Sequence, residues 1–143
     1  MSVCLALRTS LVLTFALFAC VAHAASDQEL AQQCRERVAK IYRDTWPKGV
    51  TDDGGARAKF DSHYNSKLGK CLFLETVSGV SHSPALKRIL PREIQRLRDA
   101  DANRNLGRYD RWDDEAPVTC WVQEKKCSSK EEWQQLIKPY LED

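Results

Sequence analysis

The stretch from Asp99 to Asp110, DADANRNLGRYD, spaces side-chain oxygens in a way that could bind calcium. Counted from Asp99, such oxygens stand at positions 1, 3, 5 and 12 of an EF-hand loop: Asp99, Asp101, Asn103 and Asp110. Position 6 needs glycine and here is Arg104, and the twelfth ligand is one carbon shorter than the usual glutamate. Asp and Asn also favour turns through side-chain bonds to the backbone. We therefore interpret the stretch as the polar tip of a β-hairpin, with a calcium site as the alternative.

Asp61, Ser62 and His63 put three reactive residue types side by side. Adjacent side chains point in different directions and rarely converge on one substrate atom, so this run does not predict a catalytic triad. We interpret His63, Tyr64 and Asn65 as a folding element, in which Tyr64 packs and the other two hydrogen-bond the loop before the next cysteine. The same three residues are also our candidate contacts for a binding partner.

The segment from Lys87 to Arg111 carries eight basic residues against four acidic ones. The basic residues are Lys87, Arg88, Arg92, Arg96, Arg98, Arg104, Arg108 and Arg111. This local excess could bind an acidic protein or an anionic component of a cell envelope, and Arg104 and Arg108 are the candidate contacts. The alternative is an ordinary solvated face, part of whose charge is neutralised by the acidic residues that follow it at 113–115.

Residues 1–24 have the pattern of a secretory signal peptide. Arg8 precedes an apolar run from Leu11 to Val21, and Ala22-His23-Ala24 matches a peptidase cleavage site. The run is shorter than the roughly 18 to 20 residues that cross a bilayer. Lipidation of Cys20 is an alternative that the bulky Phe18 disfavours. We expect cleavage near Ala24 and a single periplasmic or secreted domain over residues 25–143, with no membrane-spanning segment.

Cleavage would leave 21 basic side chains against 20 acidic ones, and this balance argues against a general nucleic-acid binder. It would also leave four cysteines, and an even number of cysteines in an exported chain predicts disulfides. We expect no zinc and no cofactor, because the chain has no C-x-x-C motif and its remaining histidines stand far from the thiols. The predicted elements favour the pairs Cys34–Cys71 and Cys120–Cys127.

Capping signals predict a helix at each end of this domain. Ser26-Asp27-Gln28-Glu29 has the form of a capping box before a helix that Pro47 closes, and Ser128-Ser129-Lys130-Glu131 precedes a C-terminal helix in the same way. Apolar residues follow each box at helical spacing, so each helix buries one stripe. Cys34 lies in the first of these stripes and must find its partner in the core.

Two apolar runs between the helices, at 71–77 and 117–122, predict strands, the first ending at Ser78-Gly79. Residues 59–70 are ambiguous between a short helix and a turn. Ser83-Pro84 resembles an N-cap followed by proline at the first helical position. For 84–98 we therefore predict either one helix or a short helix and then a strand, since Pro91 would kink or divide a helix. The fold class predicted is α+β, with N- and C-terminal helices packed on a small antiparallel sheet.

Three stretches resemble a known group of proteins: His63 to Cys71 (HYNSKLGKC), Pro117 to Val122 (PVTCWV) and Cys127 to Trp133 (CSSKEEW). The group consists of small exported bacterial proteins, mostly uncharacterised, with an H-Y-N-x-x-L-x-K-C element and a C-x-S-x-x-E-(F/W) element ahead of a terminal helix. The resemblance implies a periplasmic or secreted location and an α+β domain. It implies no chemistry.

The function that we expect from these observations is non-enzymatic binding in an exported setting. The partner would be another exported protein or an anionic envelope component, and not a nucleic acid. One alternative is an inhibitor or immunity protein that blocks an exported hydrolase. A further alternative is a small hydrolase that uses His63 with a carboxylate.

Overall fold

The computed structural model describes residues 25–47, 55–83, 87–113 and 115–142. Helix α1 spans Asp27–Thr45 and helix α2 spans Lys130–Leu141, with six strands between them. These strands are β1 (Arg57–Asn65), β2 (Lys70–Ser83), β3 (Arg88–Asp99), β4 (Arg104–Trp112), β5 (Thr119–Val122) and β6 (Lys125–Lys126). The predicted signal peptide and Cys20 lie outside the described residues. Within those residues, neither helix has the length and apolar character needed to span a membrane.

All six strands form one antiparallel sheet in the order β1-β2-β3-β4-β5-β6. Each strand pairs with the next strand along the chain, so the sheet is a meander of hairpins. The predicted fold class is confirmed, since an N-terminal and a C-terminal helix pack on this antiparallel sheet.

The two helices cover opposite faces of the sheet, because successive side chains of a strand point to opposite sides. On the face that we call the α1 face, Cys71 and Phe73 of β2 pack with Cys34 and Val38 of α1. On the other, the α2 face, Leu72 belongs to a cluster with residues of α2. This cluster includes Tyr109 of β4, Val122 of β5, and Trp133 and Ile137 of α2.

Both predicted disulfides are confirmed. Cys34–Cys71 joins α1 to β2 with its Cα atoms 5.3 Å apart. Cys120–Cys127 closes the β5–β6 hairpin with its Cα atoms 5.0 Å apart. The first bridge therefore ties a helix to the centre of the sheet, whereas the second staples a local return of the chain.

The capping box predicted before α1 is confirmed, with Ser26 as the N-cap and Glu29 bonded back to its backbone N–H. The box predicted before α2 is wrong by one residue, because the N-cap is Ser129 and its hydroxyl accepts from the N–H of Glu132. The Glu132 carboxylate accepts from the N–H and hydroxyl of Ser128. These hydrogen bonds hold the pKa of Glu132 below its usual value.

The helix predicted within residues 84–98 is wrong: Arg88–Asp99 is strand β3, paired along its length with β2. The apolar residues that suggested a helix, among them Leu90, Ile94 and Leu97, also fit a strand that is sandwiched between two others. Pro91 lies near the end of the sheet, where its missing N–H removes little of the ladder. Residues 84–86 lie outside the described part of the chain.

Two further strand boundaries differ from the expectation. Residues 59–70, which the sequence left ambiguous, form most of β1 and the turn into β2. Strand β2 continues past Ser78-Gly79 to Ser83, because β3 pairs with it as far as Arg88. The hairpin predicted around Asp99 to Asp110 is confirmed, since β3 ends at Asp99 and β4 begins at Arg104.

Candidate anion-binding face

Four arginines gather on the α1 face of the sheet, beside the helix. Arg98 and Arg96 of β3 pair with Phe73 and Glu75 of β2, so they share the face of Phe73. Arg92 lies four residues before Arg96 and six before Arg98, so the same alternation places it on this face. Arg108 of β4 joins them because it stands opposite Arg96. Helix α1 packs on β1 and β2. We call the set Arg92, Arg96, Arg98 and Arg108 the arginine face.

Two carboxylates lie buried among these guanidinium groups. Asp110 accepts two hydrogen bonds from Arg92, Nε to Oδ1 at 2.9 Å and Nη2 to Oδ2 at 2.7 Å, and one from Arg108 at 2.8 Å. Glu75 accepts from Arg96 Nη1 at 2.9 Å and from the indole N–H of Trp46 at 2.6 Å. Their side chains are only 4% and 5% exposed, so the arginines above them form the accessible layer.

The electrostatics keep Asp110 ionised. Burial alone would raise the pKa of Asp110, but the hydrogen bonds from Arg92 and Arg108 outweigh burial and hold it below its ordinary value. The hydrogen bond to Asp110 in turn raises the pKa of Arg92. Arg92 therefore forms a bidentate pair with Asp110, and its role in the face is structural, since these donors are already bonded.

Aromatic rings fix two of the guanidinium groups. Arg92 lies over the ring of Trp112 at 4.6 Å from its centroid, and Arg98 lies over the ring of Phe73 at 5.3 Å. Such stacking orients a guanidinium plane and leaves its edge donors available. A further tryptophan, Trp121 of β5, stands directly opposite Arg108 on β4.

A β-bulge in β4 preserves this arrangement. The register shifts between Leu97 and Arg98 of β3, so that Gly107 pairs with Leu97 while Asn105 pairs with Arg98. The extra residue, Leu106, joins the α2-face core. A side chain at Gly107 would meet the Trp121 carbonyl oxygen at 2.9 Å and the Trp133 ring at 3.1 Å, so the close packing here requires glycine. The bulge thus keeps Arg98 and Asn105 on the arginine face.

Positive charge on the arginine face exceeds the charge of its carboxylates, since four guanidinium groups surround two acids. Arg96 and Arg108 stand directly opposite each other, a like-charge pair that destabilises a sheet. Their side chains are 24% and 32% exposed, so a ligand can reach them. Among the described residues, Arg98 Nε is buried without a hydrogen-bond partner. This arrangement is chemically suited to bind an anion between Arg96, Arg98 and Arg108.

The basic segment predicted from the sequence is divided between surfaces. Arg108 lies on the arginine face, whereas Arg104 is exposed at the end of β4 and lies 4.0 Å from Asp99. Arg111 pairs with Glu93, which also accepts two hydrogen bonds from Lys130 of α2. The charges of the segment therefore do not form one patch, and four of its eight basic residues lie on the arginine face.

The candidate partner contacts on β1, namely His63, Tyr64 and Asn65, lie three strands away from Arg108. Tyr64 packs partly buried in the α1-face cluster, and His63 is half-buried beside a cavity of about 370 Å³ between β1 and α1. Asn65 is 1% exposed: its Oδ1 accepts from the N–H of Leu68 at 2.9 Å, and its Nδ2 donates to the Pro139 carbonyl at 3.1 Å. Asn65 therefore joins the β1–β2 turn to the end of α2.

Of the three adjacent reactive residues, Ser62 points to the α1 face, since it pairs with Phe73. Asp61 and His63 pair with Leu74 and Leu72, so they point to the α2 face. Ser62 and His63 nevertheless both line the cavity between β1 and α1, because β1 is an edge strand of the sheet.

The oxygens of the calcium alternative are bonded to other groups. Asp99, 1% exposed, pairs with Lys70 at 2.7 Å and accepts from the N–H groups of Asp101 and Ala102. Burial alone would raise the pKa of Asp99, but Lys70 and the Ala102 N–H lower it. Further partners are Arg37 and the Cys71 N–H for Asp101, Arg98 for Asn103, and two arginines for Asp110. No group of three metal-binding side chains is assembled within 25–47, 55–83, 87–113 or 115–142.

The sequence shows the four arginines of this face but does not reveal that they lie on one side of the sheet with Glu75, Trp112 and Trp121. The signal that could have found them is the alternation of arginine at 92, 96 and 98, which is the period of a strand. Comparison with known proteins adds no relative: no family model, no curated protein and no solved structure matches this chain.

Proposed function

We propose that the protein is an exported, non-enzymatic binding module that holds an anionic partner on the arginine face. The single observation that carries this proposal is the direct opposition of Arg96 and Arg108, with Arg98 beside them. A bound anion placed between these three groups would replace like-charge repulsion with charge-assisted hydrogen bonds.

The donor geometry supports the same proposal. Each guanidinium has five N–H donors. The hydrogen bonds described for Arg96, Arg98 and Arg108 each use a single terminal nitrogen, on Glu75, Asn103 and Asp110. Planar donors that remain on neighbouring strands match the oxygens of a carboxylate, sulfate or phosphate group. The partner is therefore an anionic envelope component or an acidic exported protein.

Export is supported by the signal-peptide pattern of residues 1–24 and by the two disulfides, which form and persist in oxidising compartments. In such a compartment the arginine face would meet other exported proteins and the anionic polymers of an envelope.

Binding to dextran sulfate, with uncharged dextran as the comparison, tests the proposal. Arg108→Gln removes one guanidinium of the site, while Asp110 keeps its bidentate pair with Arg92, so we expect the fold to be retained. Since a hydrogen bond to a charged group contributes about 1.5 to 3 kcal/mol, the affinity should fall at least tenfold. Arg35→Gln on α1 makes the same charge change away from the face and should leave the affinity within about twofold. Equal losses in the two variants, or no preference for dextran sulfate, would contradict the proposal.

A further inference from the structure

A shallow cavity adjoins the arginine face where β4 meets β5. It has a volume of about 190 Å³ and is lined by Trp121, Asn105 and Gln123, together with Arg104 and Leu106. Trp121 links the cavity to the face, because it stands opposite Arg108 in the β4–β5 register. Asn105 makes the second link, because it stands opposite Arg98. The arginine face and this polar, aromatic cavity are therefore neighbours in the sheet.

The residues of the cavity suit a sugar ring. An indole ring offers a rigid apolar surface against which the C–H face of a sugar can pack. The side-chain amides of Asn105 and Gln123 both donate and accept hydrogen bonds, which is what a ring of hydroxyl groups requires. The volume is below the roughly 300 Å³ at which pockets for drug-sized ligands begin, so it suits one ring and not a larger cofactor.

The neighbouring guanidinium groups specify the substituent on that ring. A guanidinium fork matches a carboxylate in a planar, bidentate geometry, and Arg92 already holds Asp110 in this way on the same face. We propose that the arginine face and the cavity together bind an acidic saccharide, with its carboxylate at Arg96 and Arg108 and its ring on Trp121 beside Asn105. This inference rests on the proposed function and names the class of its ligand.

The balance of charge distinguishes this ligand from a nucleic acid, which also combines anions with rings that stack. After the predicted cleavage the chain has 21 basic and 20 acidic side chains, and binding a run of phosphates calls for a marked basic excess. One cavity beside one cluster of guanidinium groups fits a ligand whose charge and ring lie next to each other.

Calorimetric titration with three probes tests the inference: trigalacturonic acid, neutral maltotriose and inorganic phosphate. The wild-type protein should bind trigalacturonic acid more tightly than either of the other two. Trp121→Leu and Asn105→Ala should each weaken trigalacturonic acid about three- to tenfold and leave phosphate unchanged. Arg108→Gln should weaken both anionic probes. Gln33→Ala, the loss of an exposed amide on α1, is the matched control and should change nothing.

The outcomes separate this inference from the proposed function. If the Trp121 and Asn105 variants fold, by their melting curves, and bind trigalacturonic acid like the wild type, the saccharide inference is overturned. The proposed function survives that result if Arg108→Gln still weakens phosphate and dextran sulfate. Tighter binding of a thymidylate hexamer than of trigalacturonic acid would also overturn the saccharide inference. Failure of the wild type to bind dextran sulfate and phosphate would refute both.

Discussion

Removing the Cys34–Cys71 bridge should cost more free energy of unfolding than removing the Cys120–Cys127 bridge. The two bridges close loops across 37 and 7 sequence positions. On the chain-entropy relation these loops correspond to about 4 kcal/mol for the first bridge and about 2.5 kcal/mol for the second. Cys34 and Cys71 are also 3% and 5% exposed within the α1-face cluster, so lost packing adds to the first value.

Urea unfolding of the paired variants Cys34→Ala/Cys71→Ala and Cys120→Ala/Cys127→Ala measures this difference, and replacing both members of a pair leaves no free thiol. We expect the first variant to be less stable than the second by about 1.5 kcal/mol or more. Its melting temperature should fall by about 15 °C from that of the wild type. Equal losses of free energy, or a larger loss in the Cys120→Ala/Cys127→Ala variant, would refute the reasoning from loop length.

Three further outcomes are expected. The free energy of unfolding should decrease as the pH falls below about 4, because the pKa of Asp110 is lower in the folded chain than in the unfolded chain, which therefore binds protons first. Urea unfolding measured from pH 6 to 2.5 tests this, and a flat profile would contradict it. Asn65→Ala should lower the free energy of unfolding by about 2 kcal/mol, because it removes the hydrogen bonds that a side chain only 1% exposed makes to the Leu68 N–H and the Pro139 carbonyl; a loss below about 0.5 kcal/mol would contradict that role. Calcium should leave the melting temperature unchanged, and an increase that Asp101→Ala abolishes would favour the calcium alternative instead.

The features that the sequence predicted correctly are those with local signals. The capping box at Ser26, the apolar stripes of the two helices and the turn after Asp99 each depend on residues close together in the chain. The disulfide pairing followed because Cys34 lay in one buried stripe and Cys120 and Cys127 flanked a tight turn. Six residues between two cysteines leave the chain few ways to return.

The misassigned segment shows why periodicity failed at β3. Ser83-Pro84 resembles the start of a helix, and the apolar residues after it fit helical spacing as well as they fit a strand. What decides the structure is pairing with β2 on one side and β4 on the other, which no local pattern reports. On a helix, Arg92, Arg96 and Arg98 would not all share one face, so the error also concealed the candidate site.

The rest of the site depends on the pairing register between strands, which no local sequence pattern determines. Glu75 meets Arg96 across 21 positions of the chain, and Arg108 meets Trp121 across the next strand boundary. The bulge at Leu106 decides whether Arg98 lies opposite Asn105 or one residue further on. A shift of one residue in any of these pairings would move the arginines to the other face of the sheet.

An NMR titration of the arginine Nε–H and tryptophan indole resonances with inorganic phosphate tests the central claim most directly. We expect saturable shifts of the Nε–H signals of Arg96, Arg98 and Arg108, while the signal of Arg35 on α1 stays in place. Absent shifts, or equal shifts of all arginines along the chain, would contradict the claim that the arginine face binds anions.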